Sequence, residues 1–224
     1  MDPSFYFSTL YPFQDQVLAI AGNSGTGFYL TGEAALGRVL LSHRFCNDLE
    51  LNVNDDARFG SWTDGIIRNL SDQMGCEMQV FKRESRVTRV KLIQADINMD
   101  IFLVNDLPCR VGEPFLHPVY GKVDSLNNIL SNKLRALLDH SSPNNLADVW
   151  GLCCLKGLSL EEALNGNEGK AAGIFPPDLA RVLCQASIKD WESVQWMDAP
   201  KAETYLLQLH GLGEKLIFPD QFLP

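Results

Sequence analysis

Asp48 and Glu50 stand one residue apart in the stretch HRFCNDLELNV (43–53), with Phe45, Leu49, Leu51 and Val53 as its apolar members. The alternation predicts a strand over 46–53. Side chains at i and i+2 of a strand leave the same face, so the two carboxylates project together while Leu49 and Leu51 turn to the core. Carboxylates held that close repel unless a cation lies between them. Mg²⁺ suits such a place, because it takes hard oxygen ligands and shares its shell with substrate phosphates. Polymerase-type enzymes use one or two such ions to align attacking and leaving oxygens. A solvent-facing acidic strand would carry the same pattern, so the surrounding elements decide.

Upstream, FYLTG (28–32) reads as a short strand ending in glycine, and EAALGRVLLSH (33–43) as a helix with Ala35, Leu36, Val39 and Leu40 on one face. Glycine at a helix start lets the backbone approach a ligand, and the helix N-terminus attracts anions. The order strand, Gly32, helix, strand with Asp-x-Glu would place a triphosphate between a helix N-terminus and a metal. Further on, Leu126, Ile129, Leu130, Leu134, Leu137 and Leu138 form the stripe of a helix over 124–140, and Lys133 falls inside that stripe. A lysine on a buried face is costly without a partner. It either reaches phosphate as a point charge or packs its stem and snorkels its amine outward. Asp148 lies three residues after Asn145 near a helix start, where the helix dipole favours an acid.

Around these residues the predicted elements are a helix over 10–22, a helix over 64–74, and strands over 77–83, 86–95 and 98–104. Helices follow over 124–140, 145–157, 159–166, 176–187 and 199–216, with loops at 105–121 and 164–176 rich in Gly, Pro and Asn. The expected fold is α+β: a small mixed sheet with flanking helices over 1–120, then a helical domain over 121–224.

The 224 residues suffice for a real core, and a net charge of −9 argues against broad nucleic-acid binding. KRESRVTRVK (82–91) is a local basic exception, readable as a charged edge strand or as a phosphate-docking patch. The six cysteines form no CxxC pair and the four histidines lack ligand spacing, so the expectation is reduced thiols and no zinc site. No apolar run reaches the ~20 residues of a membrane span. The first residues lack a basic region followed by an apolar core, so a cytoplasmic protein is expected.

FYLTGEAALGRVLLSHRFCNDLELNV resembles the opening motif of the AbiEii/AbiGii-type nucleotidyltransferases, polymerase-beta-like proteins that are often toxin components of toxin–antitoxin pairs. Their usual form is YLTGGTAL, a helix, then HR-S-x-DLDLF. Tyr29, Leu30, Thr31, Gly32, Ala35, Leu36, His43, Arg44, Asp48, Leu49 and Glu50 match. NDLPCRVGEP (105–114), VDSLNNILSNKLRALLDH, LADVWGL and GIFPPDLARVL are similar to later motifs of the family in the same order. The resemblance implies transfer of a nucleoside monophosphate from an NTP to an RNA or protein acceptor. It implies Asp48 and Glu50 as ligands of Mg²⁺ or Mn²⁺, Thr31 and Gly32 at the phosphates, Lys133 on the triphosphate, and Asp148 beside the lysine or serving as a base toward the acceptor. An antitoxin protein is the implied partner.

The sequence also departs from that pattern. Glu33 replaces a small residue, Cys46 a serine, and Asn145 and His140 an acid and an arginine; Phe102 stands where the central strand usually has an aspartate. Asp100, two residues earlier on the same strand face, is the candidate third ligand. The competing reading is a catalytically degenerate nucleotidyltransferase fold that acts as a binding module. A thiol-dependent enzyme using Cys46 has only His43 placed nearby in sequence to activate it.

Overall fold

The computed structural model describes residues 2–165, 170–171 and 173–218. It resolves into two compact units: one holds the residues up to 39 together with 45–108 and 113–124, the other 40–44, 109–112 and the residues from 125 onward. The fold is α+β, as the sequence implies.

In the first unit a seven-stranded mixed sheet runs β3-β4-β5-β2-β1-β7-β6. Its strands are β1 (Tyr29–Thr31), β2 (Leu49–Asn54), β3 (Glu77–Arg83), β4 (Val87–Gln94), β5 (Ile97–Asp106), β6 (Phe115–His117) and β7 (Gly121–Val123). β2–β5 and β1–β7 pair in parallel and the other neighbours are antiparallel. Register sorts the two faces. Leu51 lies between Leu30 and Leu103, and Val90 lies beside Ile101, so Leu30, Leu49, Leu51, Val53, Val90, Leu92, Met99, Ile101 and Leu103 share one buried face. Each contributes about 1.5–3 kcal/mol by leaving water. The opposite face carries Thr31, Glu50, Arg89, Lys91, Asp100 and Phe102.

Three helical segments complete this unit's frame. α1 (Pro3–Phe5) starts at Asp2, whose side chain accepts the Ser4 N–H, and Pro3 fits the first turn. It continues through a π-helical turn at Tyr6–Leu10 into α2 (Tyr11–Gly22), so the helix begins earlier than residue 10. α2 packs on α4 (Phe59–Gln73) and on β7. α3 (Gly32–Ala35) runs into a π-helical turn at Leu36–Leu40 and packs on β1 and β2.

The second unit is helical. α5 (Leu126–Asp139) is capped by Ser125 and α6 (Pro143–Trp150) by Ser142, each serine accepting an N–H three residues on. α6 passes through a π-helical turn at Gly151–Leu155, and α7 (Leu160–Asn165), α8 (Pro176–Cys184), α9 (Ile188–Ser193) and α10 (Ala202–Ile217) follow. α9 was not expected; a capping box between Ser187 and Asp190 starts it. Two short strands, β6 and β7, likewise occupy or border what reads as a loop at 105–121. Gly166 of the expected 159–166 helix and part of the expected 164–176 loop lie outside the described residues. α10 packs closely on α8, where a Cβ at Gly213 would stand 2.9 Å from the Ala180 carbonyl oxygen. No helix among the described residues is long and apolar enough to cross a membrane.

Candidate active site

Asp48 directly precedes β2 rather than lying inside it. The parallel register pairs Glu50 with Phe102 and Leu49 with Ile101, which brings Asp48 alongside Asp100. The Asp100 N–H donates to Asp48 Oδ1 at 2.9 Å. Burial pushes the Asp48 carboxyl above its ordinary range, and the charges of Asp100 and Glu33 push it the same way. The Asp100 N–H and the Arg89 charge oppose that rise.

Glu50 is half-buried, and its Oε1 accepts from Asn52 Nδ2 at 3.1 Å. Across β1–β2 it faces Thr31, and its Oε2 lies where a Gly32 side chain would have to go, 2.7 Å from an added Cβ. Gly32 also holds φ at 63°, a left-handed value that glycine adopts without cost. Gly32 is thus demanded twice, by its backbone and by Glu50. Thr31 is buried and its hydroxyl donates to Asp124 Oδ2 at 2.7 Å. Asp124 was not singled out in the sequence, where it reads only as an acid at a helix start.

Asp100 is occupied differently from the expectation of a metal ligand. Its Oδ2 accepts from Arg89 Nη2 at 2.6 Å, while its Oδ1 is buried with no hydrogen-bond partner among the described residues. Among the described residues no group of three or more His, Cys, Asp or Glu side chains is arranged to hold a metal ion. A divalent ion at the expected pair, Asp48 and Glu50, would therefore have at most two protein carboxylates. One or two protein carboxylates, completed by water and substrate phosphate, are the usual protein share for Mg²⁺.

The basic run 82–91 forms the β3–β4 hairpin at the sheet edge, and its charges are largely matched. Lys82 pairs with Glu84, Arg83 with Asp64, Arg86 with Asp55 and Arg89 with Asp100. Lys91 lies over the Phe81 ring. This is the charged-edge arrangement rather than an open phosphate patch. Cys46 is buried, with its Sγ 3.9 Å from the Tyr11 hydroxyl, which leaves a thiol chemistry no access.

In the helical unit, α5 buries Ile129, Leu130, Lys133, Leu134 and Leu137 together, so Lys133 does sit within the apolar stripe. Its Nζ reaches Asp148 Oδ2 at 2.7 Å and donates to Asn145 Oδ1 at 3.0 Å. Asp148 on α6 is fully buried and takes three further contacts: Arg44 Nε and Nη2, each at 2.7 Å, and His43 Nε2 at 3.0 Å. Burial alone would raise this carboxyl. The Arg44 and Lys133 charges outweigh it, aided by hydrogen bonds from His43 and Arg44, and hold it well below the usual carboxylate range. Two cations, Arg44 and Lys133, thus meet at one buried carboxylate. A cavity of about 450 Å³ lined by Leu41, His43, Trp150, Lys201 and Gln208 reaches the His43 side of this cluster. A second, of about 420 Å³, lies among Cys153, Leu160, Pro176 and Leu212 and touches none of these residues.

No protein-family model matches the chain and no curated protein sequence matches it significantly. Solved structures do. A Helicobacter pylori protein with a provisional nucleotidyltransferase assignment superposes with a TM-score of 0.62 at 16% identity, covering 97% of this chain and 98% of its own. JHP933 from Helicobacter pylori gives 0.60 at 16%, covering 92% and 90%. The nucleotidyltransferase toxin MenT4 from Mycobacterium tuberculosis H37Rv gives 0.53 at 12%, covering 93% and 82%. The chain has the fold of these proteins along nearly its whole length.

Proposed function

We propose that this chain is a metal-dependent nucleotidyltransferase of the AbiEii/AbiGii type, a cytoplasmic toxin whose partner is an antitoxin protein. It would move a nucleoside monophosphate from an NTP to a hydroxyl of an RNA or protein acceptor. The acceptor oxygen bonds to the α-phosphorus, and the bond from that phosphorus to the leaving pyrophosphate breaks. The observation that carries the reading is Glu50 set against Gly32, with Asp48 just before the same strand and bonded to Asp100, in a chain with a nucleotidyltransferase fold.

Each residue then has a task. Asp48 and Glu50 would hold Mg²⁺ or Mn²⁺, which would neutralise phosphate charge and align the reacting oxygens. Asp100 would be a third ligand only where Arg89 releases it. Gly32 keeps the backbone clear at Glu50, and the Thr31–Asp124 hydrogen bond fixes the strand end that leads into Gly32. Lys133 supplies the point charge for the triphosphate. Asp148 orients Lys133 and is a positioning residue, since a carboxylate already meeting Arg44, Lys133 and His43 makes a poor base. In this reading residues 1–120 form a nucleotidyltransferase-like αβ domain and 121–224 a helical C-terminal domain.

Phe102 at the expected third carboxylate, with Arg89 against Asp100, favours the second reading: a degenerate member that works as a binding module. Thermal stabilisation by each NTP, with and without Mg²⁺ or Mn²⁺, separates the two. At ~100 times its Kd a nucleotide adds about 2.7 kcal/mol, a rise of roughly 5–10 °C for a chain of this size. Metal-dependent stabilisation that Asp48→Ala removes supports the transferase. No shift with any NTP at millimolar concentration supports the binding module.

A further inference from the structure

Arg89 lies on β4 opposite Phe102 and diagonally across from Asp100. Its guanidinium carbon sits 5.6 Å from the Phe102 ring centroid and 5.8 Å from that of Phe81, within the range of cation–π attraction. The ion pair with Asp100 is the polar end of that seating, at 2.6 Å. The arginine is therefore held on two sides by rings and on a third by a carboxylate.

The carboxylate it meets belongs to the acidic cluster already described. Asp48 takes the Asp100 N–H, and Asp100 keeps one buried oxygen, Oδ1, without a partner among the described residues. Arg89 Nε is likewise buried without an acceptor. The pair thus satisfies charge but leaves hydrogen-bonding capacity unused on both sides. A carboxylate oxygen with an unused lone pair beside the Asp48 carboxylate is poised for a second cation, and Arg89 is the positive charge opposing one.

We infer that Arg89 is a built-in counter-cation of the Asp48–Asp100 pair, competing with a divalent metal ion for the Asp100 carboxylate and so setting how tightly this chain holds the ion. The inference rests on the metal-dependent reading of Asp48 and Glu50, and it extends that reading to a residue outside the motif. Phe102 is part of the device: where a third acid would have drawn metal, an aromatic ring seats the arginine instead.

The test is Mn²⁺ binding by the protein alone, read from the free-ion paramagnetic resonance signal. Arg89→Gln removes the charge, and Arg89→Met removes it while keeping an apolar stem against Phe102; either serves if the other fails to fold, as judged by urea unfolding. Both are expected to tighten Mn²⁺ by about tenfold or more, the effect of deleting one nearby like charge. Adding Asp100→Asn to either should cancel the gain, and Arg89→Lys should stay near wild type. Wild type binding Mn²⁺ through Asp48, with the Arg89 variants no tighter, would overturn the inference and leave the metal site standing. Binding only after Arg89 is removed would support the inference and remove the metal from the native function. No binding by any variant would overturn both.

Discussion

Replacing Asp148 by asparagine keeps its volume and deletes one charge, and the consequences can be worked from its surroundings. Its side chain is fully buried, that of Arg44 is 1% exposed and that of Lys133 is 10% exposed. Removing one partner of such a pair costs about 3–5 kcal/mol, because the charge left behind stays out of water. Here two cations lose their carboxylate at once, while the amide oxygen still accepts one hydrogen bond. About 3–4 kcal/mol is expected for Asp148→Asn and about 5 kcal/mol for Asp148→Ala. Against a typical stability of about 5–15 kcal/mol this is a large share. Urea unfolding followed by tryptophan fluorescence measures it, since Trp150, Trp191 and Trp196 all lie in the helical unit. Glu84→Gln, which breaks a Lys82–Glu84 pair whose side chains are 51% and 58% exposed, is the control. It should change stability by less than about 0.5 kcal/mol. The pH dependence has a fixed sign. A carboxyl depressed in the folded state adds stability that is complete above its unfolded value, about 3.9, and is lost as pH falls through the folded value. Wild type should weaken below about pH 4 more steeply than Asp148→Asn. A loss under about 1 kcal/mol for Asp148→Asn at pH 7, or parallel acid limbs, would refute the account of the cluster.

Two further substitutions probe close approaches. Gly32→Ala places a methyl group 2.7 Å from Glu50 Oε2 at a φ of 63°. The left-handed backbone alone should cost about 1–2 kcal/mol, and displacement of Glu50 should weaken Mn²⁺ binding by more than the stability loss explains. Gly213→Ala sets its Cβ 2.7 Å from Cys184 Sγ and 2.9 Å from a backbone oxygen of α8. Overpacking there should cost about 1–3 kcal/mol in urea unfolding while leaving Mn²⁺ binding unchanged.

Periodicity carried β2, β4, β5 and the main helices because each buries a clean face. Alternation in β2 put Leu49, Leu51 and Val53 in the core, and the 3.6-residue stripe of α5 located Lys133 among buried leucines. β6, β7 and α9 escaped, since they are too short for a period to register and depend on pairing or capping. Site residues split along the same line. Asp48, Glu50 and Gly32 are close in sequence, so their spacing makes them candidates on its own. The partners that define their environment are remote: Thr31 meets Asp124 93 residues away, and Arg44 meets Asp148 104 residues away. The Arg89–Asp100 pair follows from the β4–β5 register, which no composition or motif specifies.

The parallel pairing of β2 with β5 also dictates an order of events during synthesis. Arg89 and Asp100 are 11 residues apart on a hairpin, whereas Asp48 and Asp100 are 52 apart. Hairpins close in about 1–10 μs. At ~5–20 residues per second, the ribosome releases Asp100 roughly 3–10 s after Asp48. Asp100 therefore meets its arginine through the local hairpin, and Asp48 waits for a strand not yet made. The acidic face exists only in a chain elongated past β5, so a nascent chain arrested earlier carries Asp48 and Glu50 without the strand that sets them in place.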